Sequence, residues 1–181
     1  YETKSPRDFL TSEKDSAIAR KTGFDDRSDE AMISAAFANR FGSLETLLIY
    51  TLRDGNERES HSSGADILGP ERGQADPMDR EEQSILAKAD YYLTPDQRLG
   101  LVVEQNRREA TSFPLSRQSP VYFDFITDDT NDRDRVGIEY EWTNAGVTMF
   151  DSLLAAADYQ NLETRGIFQF GFSGFNGDPT D

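Results

Sequence analysis

The 181-residue chain contains no cysteine. That removes disulfides, thiolate metal sites and cysteine nucleophiles together. Apolar residues are scarce: they make up 36% of the chain and the mean hydropathy is −0.69, whereas about half is usual for a core-burying globule. No apolar run approaches the roughly 20 residues of a membrane helix. Basic residues are few as well, 19 Lys and Arg against 34 Asp and Glu, for a net charge of −15 and a pI near 4.4. Such a surface repels nucleic acid. The chain opens at Tyr1 without methionine, a basic leader or an apolar leader core, so it reads as a processed chain or an internal piece of a longer one.

Aromatics, by contrast, are plentiful at 11%, which does not fit a disordered chain. Low hydrophobicity with many aromatics suits strands that are apolar on one face and wet on the other, joined by polar loops. A transmembrane barrel is built this way.

The stretch Ser84–Gln105 shows the pattern most plainly. Ile85, Ala87, Ala89 and Tyr91 share one parity, Thr94-Pro95-Asp96-Gln97 supplies a turn, and Leu99, Leu101 and Val103 share a parity on the return. Period-2 alternation around a short Pro/Asp break predicts a β-hairpin. The unit recurs. Residues 1–15 read as the end of a preceding unit and a linker, followed by a weak strand from Ser16 to Phe24. Strands are then predicted over Glu30–Phe41 and Leu44–Arg53, although Leu47 and Ile49 place apolar groups on the polar face. Asp54–Glu82 and Thr111–Asp132 read as long polar loops, Arg133–Trp142 and Asp151–Glu163 as strands, and Gly166–Asp181 as the start of another loop.

Loops near thirty residues are unusual inside a compact soluble domain and ordinary outside an outer-membrane barrel. Phe41, Tyr91 and Trp142 stand just before the three short turns, each on its strand's apolar parity, as an interfacial aromatic girdle requires. The short turns near Gly42, Pro95 and Gly146 are then periplasmic and the long loops external. Ile33, Phe37, Leu48, Ile85, Leu101, Val103, Ile138, Leu153 and Ala155 face lipid in this arrangement. Lys88, Asp90, Glu104, Arg135, Glu139 and Glu141, with Arg40 and Arg53, line the lumen. About seven strands is an odd number and too few to close a bacterial barrel, and open edges are not tolerated in lipid. The expected fold class is therefore all-β, an antiparallel transmembrane β-barrel fragment belonging to a larger barrel.

Several segments resemble one family. Tyr1-Glu2-Thr3-Lys4 with Asp8-Phe9-Leu10 is similar to the junction of plug and barrel in TonB-dependent outer-membrane receptors, in particular their haem/haemoglobin branch. Leu48-Ile49-Tyr50-Thr51-Leu52-Arg53-Asp54-Gly55-Asn56-Glu57 resembles that branch's third strand running into its loop. Tyr92-Leu93-Thr94-Pro95, Arg98-Leu99-Gly100-Leu101, Asp132-Arg133-Asp134-Arg135 and Tyr140-Glu141-Trp142 resemble later hairpins. The resemblance implies a plugged barrel of roughly 22 strands, with residues 1–15 ending the plug and 16–181 beginning the barrel. It also implies import of haem or haemoglobin-derived iron, driven by the TonB complex, with no intrinsic cofactor. A ferric-siderophore receptor of the same superfamily is the nearest alternative, and a soluble or surface β-sandwich binding module is one from another class. The family's Phe-Arg-Ala-Pro and Asn-Pro-Asn-Leu loop signature, with its histidine, is absent, so no haem ligand is carried over to any position here.

Two places offer chemistry of their own. His61, the sole histidine, lies in a polar loop stretch; it could serve as an axial haem ligand, against the plainer account of a solvated loop imidazole. Asp128, Asp129 and Asp132 offer oxygen ligands to calcium or to an ion bridging lipopolysaccharide, but the glycine and distal glutamate of an EF-hand loop are missing. No Gly-x-Ser-x-Gly elbow is present, so nothing supports a serine hydrolase.

Overall fold

A computed structural model of the chain describes residues 4–58, 64–143 and 151–173. Seven strands follow one another: β1 (Ser16–Asp25), β2 (Glu30–Phe41), β3 (Leu44–Asn56), β4 (Met78–Thr94), β5 (Gln97–Ser112), β6 (Tyr122–Thr143) and β7 (Ser152–Phe172). They form one antiparallel sheet in sequence order. The sheet is open, because β1 pairs only with β2 and β7 only with β6. Among the described residues no second sheet packs on it.

Register shows why the residues alternate as they do. One ladder row runs Ile18–Phe37–Leu48–Ala87–Val103–Val136–Tyr159 across all seven strands. The row one residue away on each strand runs Ala17–Ala38–Leu47–Lys88–Val102–Gly137–Asp158. Successive side chains leave a strand on opposite faces, so the first row is apolar on one side, and the second, which sets Lys88 and Asp158 among small and apolar groups, lies on the other. The apolar face is bare: Phe37, Leu48, Leu101 and Ile138 are each about half exposed, at 45%, 49%, 47% and 51%. The nine residues expected to face lipid all lie on it.

The upper edge of this apolar belt descends along the sheet. Leu52 marks it in β3, Ile85 in β4 and Val103 in β5, two residues lower at each register step, and it then stays level at Val136 and Tyr159. Four residues is about 13 Å at a rise of ~3.3 Å, taken over four inter-strand spacings of ~4.8 Å. The slope is roughly 35°, within the roughly 35–45° strand tilt of outer-membrane barrels.

The turns follow local chemistry. Gly42, with φ +60°, opens the two-residue link between β2 and β3, where a hairpin of this type wants glycine. Pro95-Asp96 link β4 to β5, proline setting the φ of the first turn position.

Three expectations need correction. The first long loop spans 57–77 and the second 113–121, because β3, β4, β5 and β6 all run further than the hydrophobic pattern shows. The acidic run Asp128–Asp132 lies within β6 rather than in a loop. Residues 166–172 continue β7 instead of starting a loop. The β1–β2 link, 26–29, is short, in keeping with the acidic break at Asp25–Asp29 in the sequence. His61, the turn around Gly146, Tyr1-Glu2-Thr3 and residues 174–181 lie outside the described residues.

Candidate functional site

The polar face becomes a site because the N-terminal segment lies against it. Pro6–Asp8 form a single 3-10 turn, closed by Ser5 and Asp8: the Ser5 N–H donates to Asp8 Oδ2 at 2.8 Å. Leu10, 6% exposed, then packs on Ala38 and Leu47 with Ile49 alongside. Leu47 and Ile49, which break the alternation of β3, are thus apolar to receive this segment. Arg7 donates to Glu45 Oε2 at 3.0 Å and lies over the Tyr92 ring at 4.2 Å. Arg40 donates to Glu45 Oε1 at 2.9 Å, to Asp15 at 3.2 Å and to the Thr11 carbonyl at 3.0 Å. The side marked by this segment is the inner face.

Further along the same face the ion pairs link neighbouring strands. Arg98 stands opposite Tyr92 on one side and Glu141 on the other. Its guanidinium donates straight across to Glu141 at 2.9 Å and diagonally to Asp90 at 2.7 Å and, in a very short contact, to Glu139. Asp90 is 6% exposed. Arg135 bridges Asp158 at 2.7 Å and Glu104 at 3.4 Å. Two glycines make room for these forks. A Cβ on Gly100 would stand 2.9 Å from the Arg98 guanidinium, and one on Gly137 would stand 2.4 Å from Asp158 Oδ1 and 2.8 Å from Val102. Between the N-terminal segment and this charged floor lies an open groove of about 750 Å³, lined among others by Lys4, Arg7, Lys88, Arg98, Glu139 and Asp158.

The expected lumen residues Lys88, Asp90, Glu104, Arg135, Glu139 and Glu141 do share this face, and so do Arg40 and Arg53, the latter paired with Glu30 at 3.0 Å. Arg98, Glu45 and Arg7 were not singled out from the sequence. Arg98 and Glu45 carried a readable signal, since their parity matches that of Gly100 and Glu104 in β5 and of Arg53 in β3; Arg7 carried none, because only the fold of the N-terminal turn brings it there. The aspartates of β6 do not converge. Asp128 accepts from Thr111 at 2.8 Å and Asp132 pairs with Arg107 at 3.0 Å, while Asp129 lies on the opposite face. Among the described residues no group of three or more His, Asp or Glu side chains is arranged to hold a metal ion.

At the long-loop end the two loops dock on each other. Ser116 bonds Asp76 through both its N–H (2.8 Å) and its hydroxyl (2.6 Å), and the Gly69 N–H reaches the Leu115 carbonyl at 2.9 Å. Arg72 lies beneath, its side chain 5% exposed, donating to the Ala75 carbonyl at 2.9 Å and pairing with Asp66 in a very short contact.

These features define a class: an all-β antiparallel sheet of barrel type, apolar outside, ion-paired inside and seated on its own N-terminal segment. No protein-family profile matches the chain. It is similar to a set of bacterial binding proteins. It is 31% identical over 176 residues to the probable hemoglobin and hemoglobin-haptoglobin-binding protein 4 of Haemophilus influenzae, an alignment covering 91% of this chain and 17% of the relative. It is 27% identical over 175 residues to the hemoglobin and hemoglobin-haptoglobin-binding protein of Haemophilus ducreyi (91% and 18%). With the hemoglobin-haptoglobin utilization protein B of Neisseria meningitidis it shares 26% over 195 residues (90% and 24%). The chain therefore spans less than a quarter of the length of these relatives.

Proposed function

We propose that this chain is the first stretch of the barrel, with the end of the plug, of a bacterial outer-membrane receptor that takes iron from haemoglobin as haem, driven by the TonB complex. The observation that carries the reading is the two-faced tilted sheet, coupled to similarity over nine tenths of the chain to proteins named for haemoglobin binding. No helix among the described residues is long and apolar enough to cross a membrane; in this reading the strands do the crossing. In β3 the belt runs from Leu44 to Leu52, about 26 Å along the strand. Tilted by ~35° it spans about 21 Å, near the ~25 Å apolar band of outer-membrane barrels. Phe41 and Tyr91 lie at one level of the ladder through Leu44, with Tyr140 on the same row and Trp142 two residues lower. That level serves as the periplasmic girdle, and the docked loops face outside.

Haem and haemoglobin are cargo in this reading, not resident groups. The test is growth of an iron-starved haem auxotroph expressing the full-length receptor on haemoglobin as sole iron source. Growth that needs both the receptor and TonB is the expected result. Growth on a ferric siderophore but not on haemoglobin would replace the ligand class. A receptor recovered in the soluble fraction would overturn the membrane assignment.

A further inference from the structure

The inner face ends, at the long-loop side, in a wall of aromatic rings that the ion-pair floor does not explain. Phe168, Phe170 and Phe172 alternate along β7 on the parity of Asp158, hence on the inner face. Tyr122 and Phe125 of β6 meet them, with ring centroids at 5.3 Å for Tyr122–Phe172, 5.6 Å for Phe125–Phe168 and 5.9 Å for Phe125–Phe170. A β-bulge builds the set. The register of β6 against β7 shifts between Phe123 and Ile126, and Asp124 there takes a left-handed φ of 51°, rare for a residue other than glycine. One extra residue reverses the face of everything beyond it, and that turns Tyr122 inward to Phe172. Phe125 is 9% exposed, but Phe168, Phe170 and Phe172 remain 47%, 50% and 57% exposed.

Phe168 stands nine residues beyond Tyr159, the top of the outer belt, or about 30 Å along the strand. The wall is therefore clear of lipid in the proposed orientation. Among the described residues the two loops dock on each other through Ser116–Asp76 and Gly69–Leu115, and the second also bonds Ser173 at the end of β7, while the rings of β7 stay exposed. Asp129, on the same face opposite Gly166, and Asp124, in the bulge, adjoin it, and neither has an ion-pair partner among the described residues. An acidic rim repels the carboxylates of free haem and suits a partner with basic groups around an apolar centre.

We propose that this aromatic wall is the seat for an apolar, basic-rimmed patch on a protein ligand, and that it contacts protein rather than the haem itself. The inference rests on the receptor reading above and gives that reading's external face a named contact. Exposed rings held in a rigid strand are the usual energetic centre of such contacts.

The test uses the full-length receptor in outer-membrane vesicles, with purified haemoglobin and free haemin as separate probes. Phe170→Ser with Phe172→Ser should raise the haemoglobin Kd at least tenfold and leave haemin binding within twofold. Asp124→Lys with Asp129→Lys should slow haemoglobin association and flatten its salt dependence. Hydroxyl-radical footprinting of the unsubstituted receptor, which needs no variant to fold, should oxidise Phe168, Phe170 and Phe172 in the free state and show them protected by haemoglobin. Unchanged haemoglobin affinity, an equal loss of haemin binding, or rings already protected by the receptor's own chain would each overturn the proposal. An unsubstituted receptor that binds no haemoglobin removes the underlying reading instead.

Discussion

Replacing Arg98 by methionine should destabilise the barrel by about 3 kcal/mol, and the magnitude follows from which carboxylates it strands. Arg98 serves three acids: Asp90, Glu139 and Glu141. The two glutamate side chains are 39% and 42% exposed, so each of those pairs contributes at the surface level of ~0–1 kcal/mol. Asp90 is different, with its side chain only 9% exposed. Breaking a buried pair by removing one partner costs about 3–5 kcal/mol, because the remaining charge keeps its desolvation penalty. Arg98 itself is 24% exposed, which places the estimate at the lower end of that range. Asp90→Asn on top of Arg98→Met removes the stranded charge, and the double variant should recover roughly 2 kcal/mol of the loss. Denaturant titration of the full-length receptor, scored by the heat-modifiable gel shift of the folded barrel, reads all four corners of the cycle. Strictly additive losses, with a coupling below about 0.5 kcal/mol, would refute the reasoning that Asp90 depends on Arg98.

Leu101→Arg, on the outer belt, should cost about 2–4 kcal/mol of barrel stability at mid-membrane depth in the same titration, whereas Asn106→Arg on the inner face should cost far less. A cysteine at Glu71 should react with an impermeant maleimide on intact cells, and one at Asp96 only after the outer membrane is opened; the reverse order would invert the topology. Leu10→Ala, which vacates the seat against Ala38 and Leu47, should cost about 2–3 kcal/mol of docking and speed tryptic cleavage at Lys14 in limited proteolysis.

The sequence was readable wherever burial differs between the two faces of a strand. The predicted Glu30–Phe41 coincides with β2, and the start of β3 at Leu44 was equally plain, because Phe37, Leu48 and their neighbours alternate with smaller or polar groups. The upper halves of β4, β5 and β6 were not readable. There both faces meet water, and rows such as Gln83–Arg107–Asp132–Glu163 show no hydrophobic period at all. Those strands are held by backbone ladders and by pairs such as Arg107–Asp132. In the one-dimensional sequence such charges look like a loop. The end of β7 was missed for another reason: Gly166 and Gly171 suggested a turn, although Phe168, Phe170 and Phe172 alternate as a strand should. Of the inner face, the carboxylates and Arg135 followed from parity alone. The seat of the N-terminal segment did not, since Leu47 and Ile49 look like errors in a polar face until Leu10 is placed on them.

That seat also sets how firmly the N-terminal segment is held. Its apolar anchors are Pro6, under 2% exposed, and Leu10, with Phe9 packed alongside, and burying one leucine contributes about 1.5–3 kcal/mol. Arg7 is 60% exposed in its pair with Glu45, so the bond adds no more than ~1 kcal/mol. Its stacking on Tyr92 adds about 0.5–1 kcal/mol at such an exposed position. The sum is a few kcal/mol, well below the cost of opening a seven-stranded ladder. A segment seated on Pro6 and Leu10 and tied by a handful of polar contacts is held less tightly than the strands are held to one another. An apolar wall would bind the segment over a larger area, whereas the ion pairs of the inner face, such as Arg7–Glu45 and Arg40–Asp15, fix where it sits.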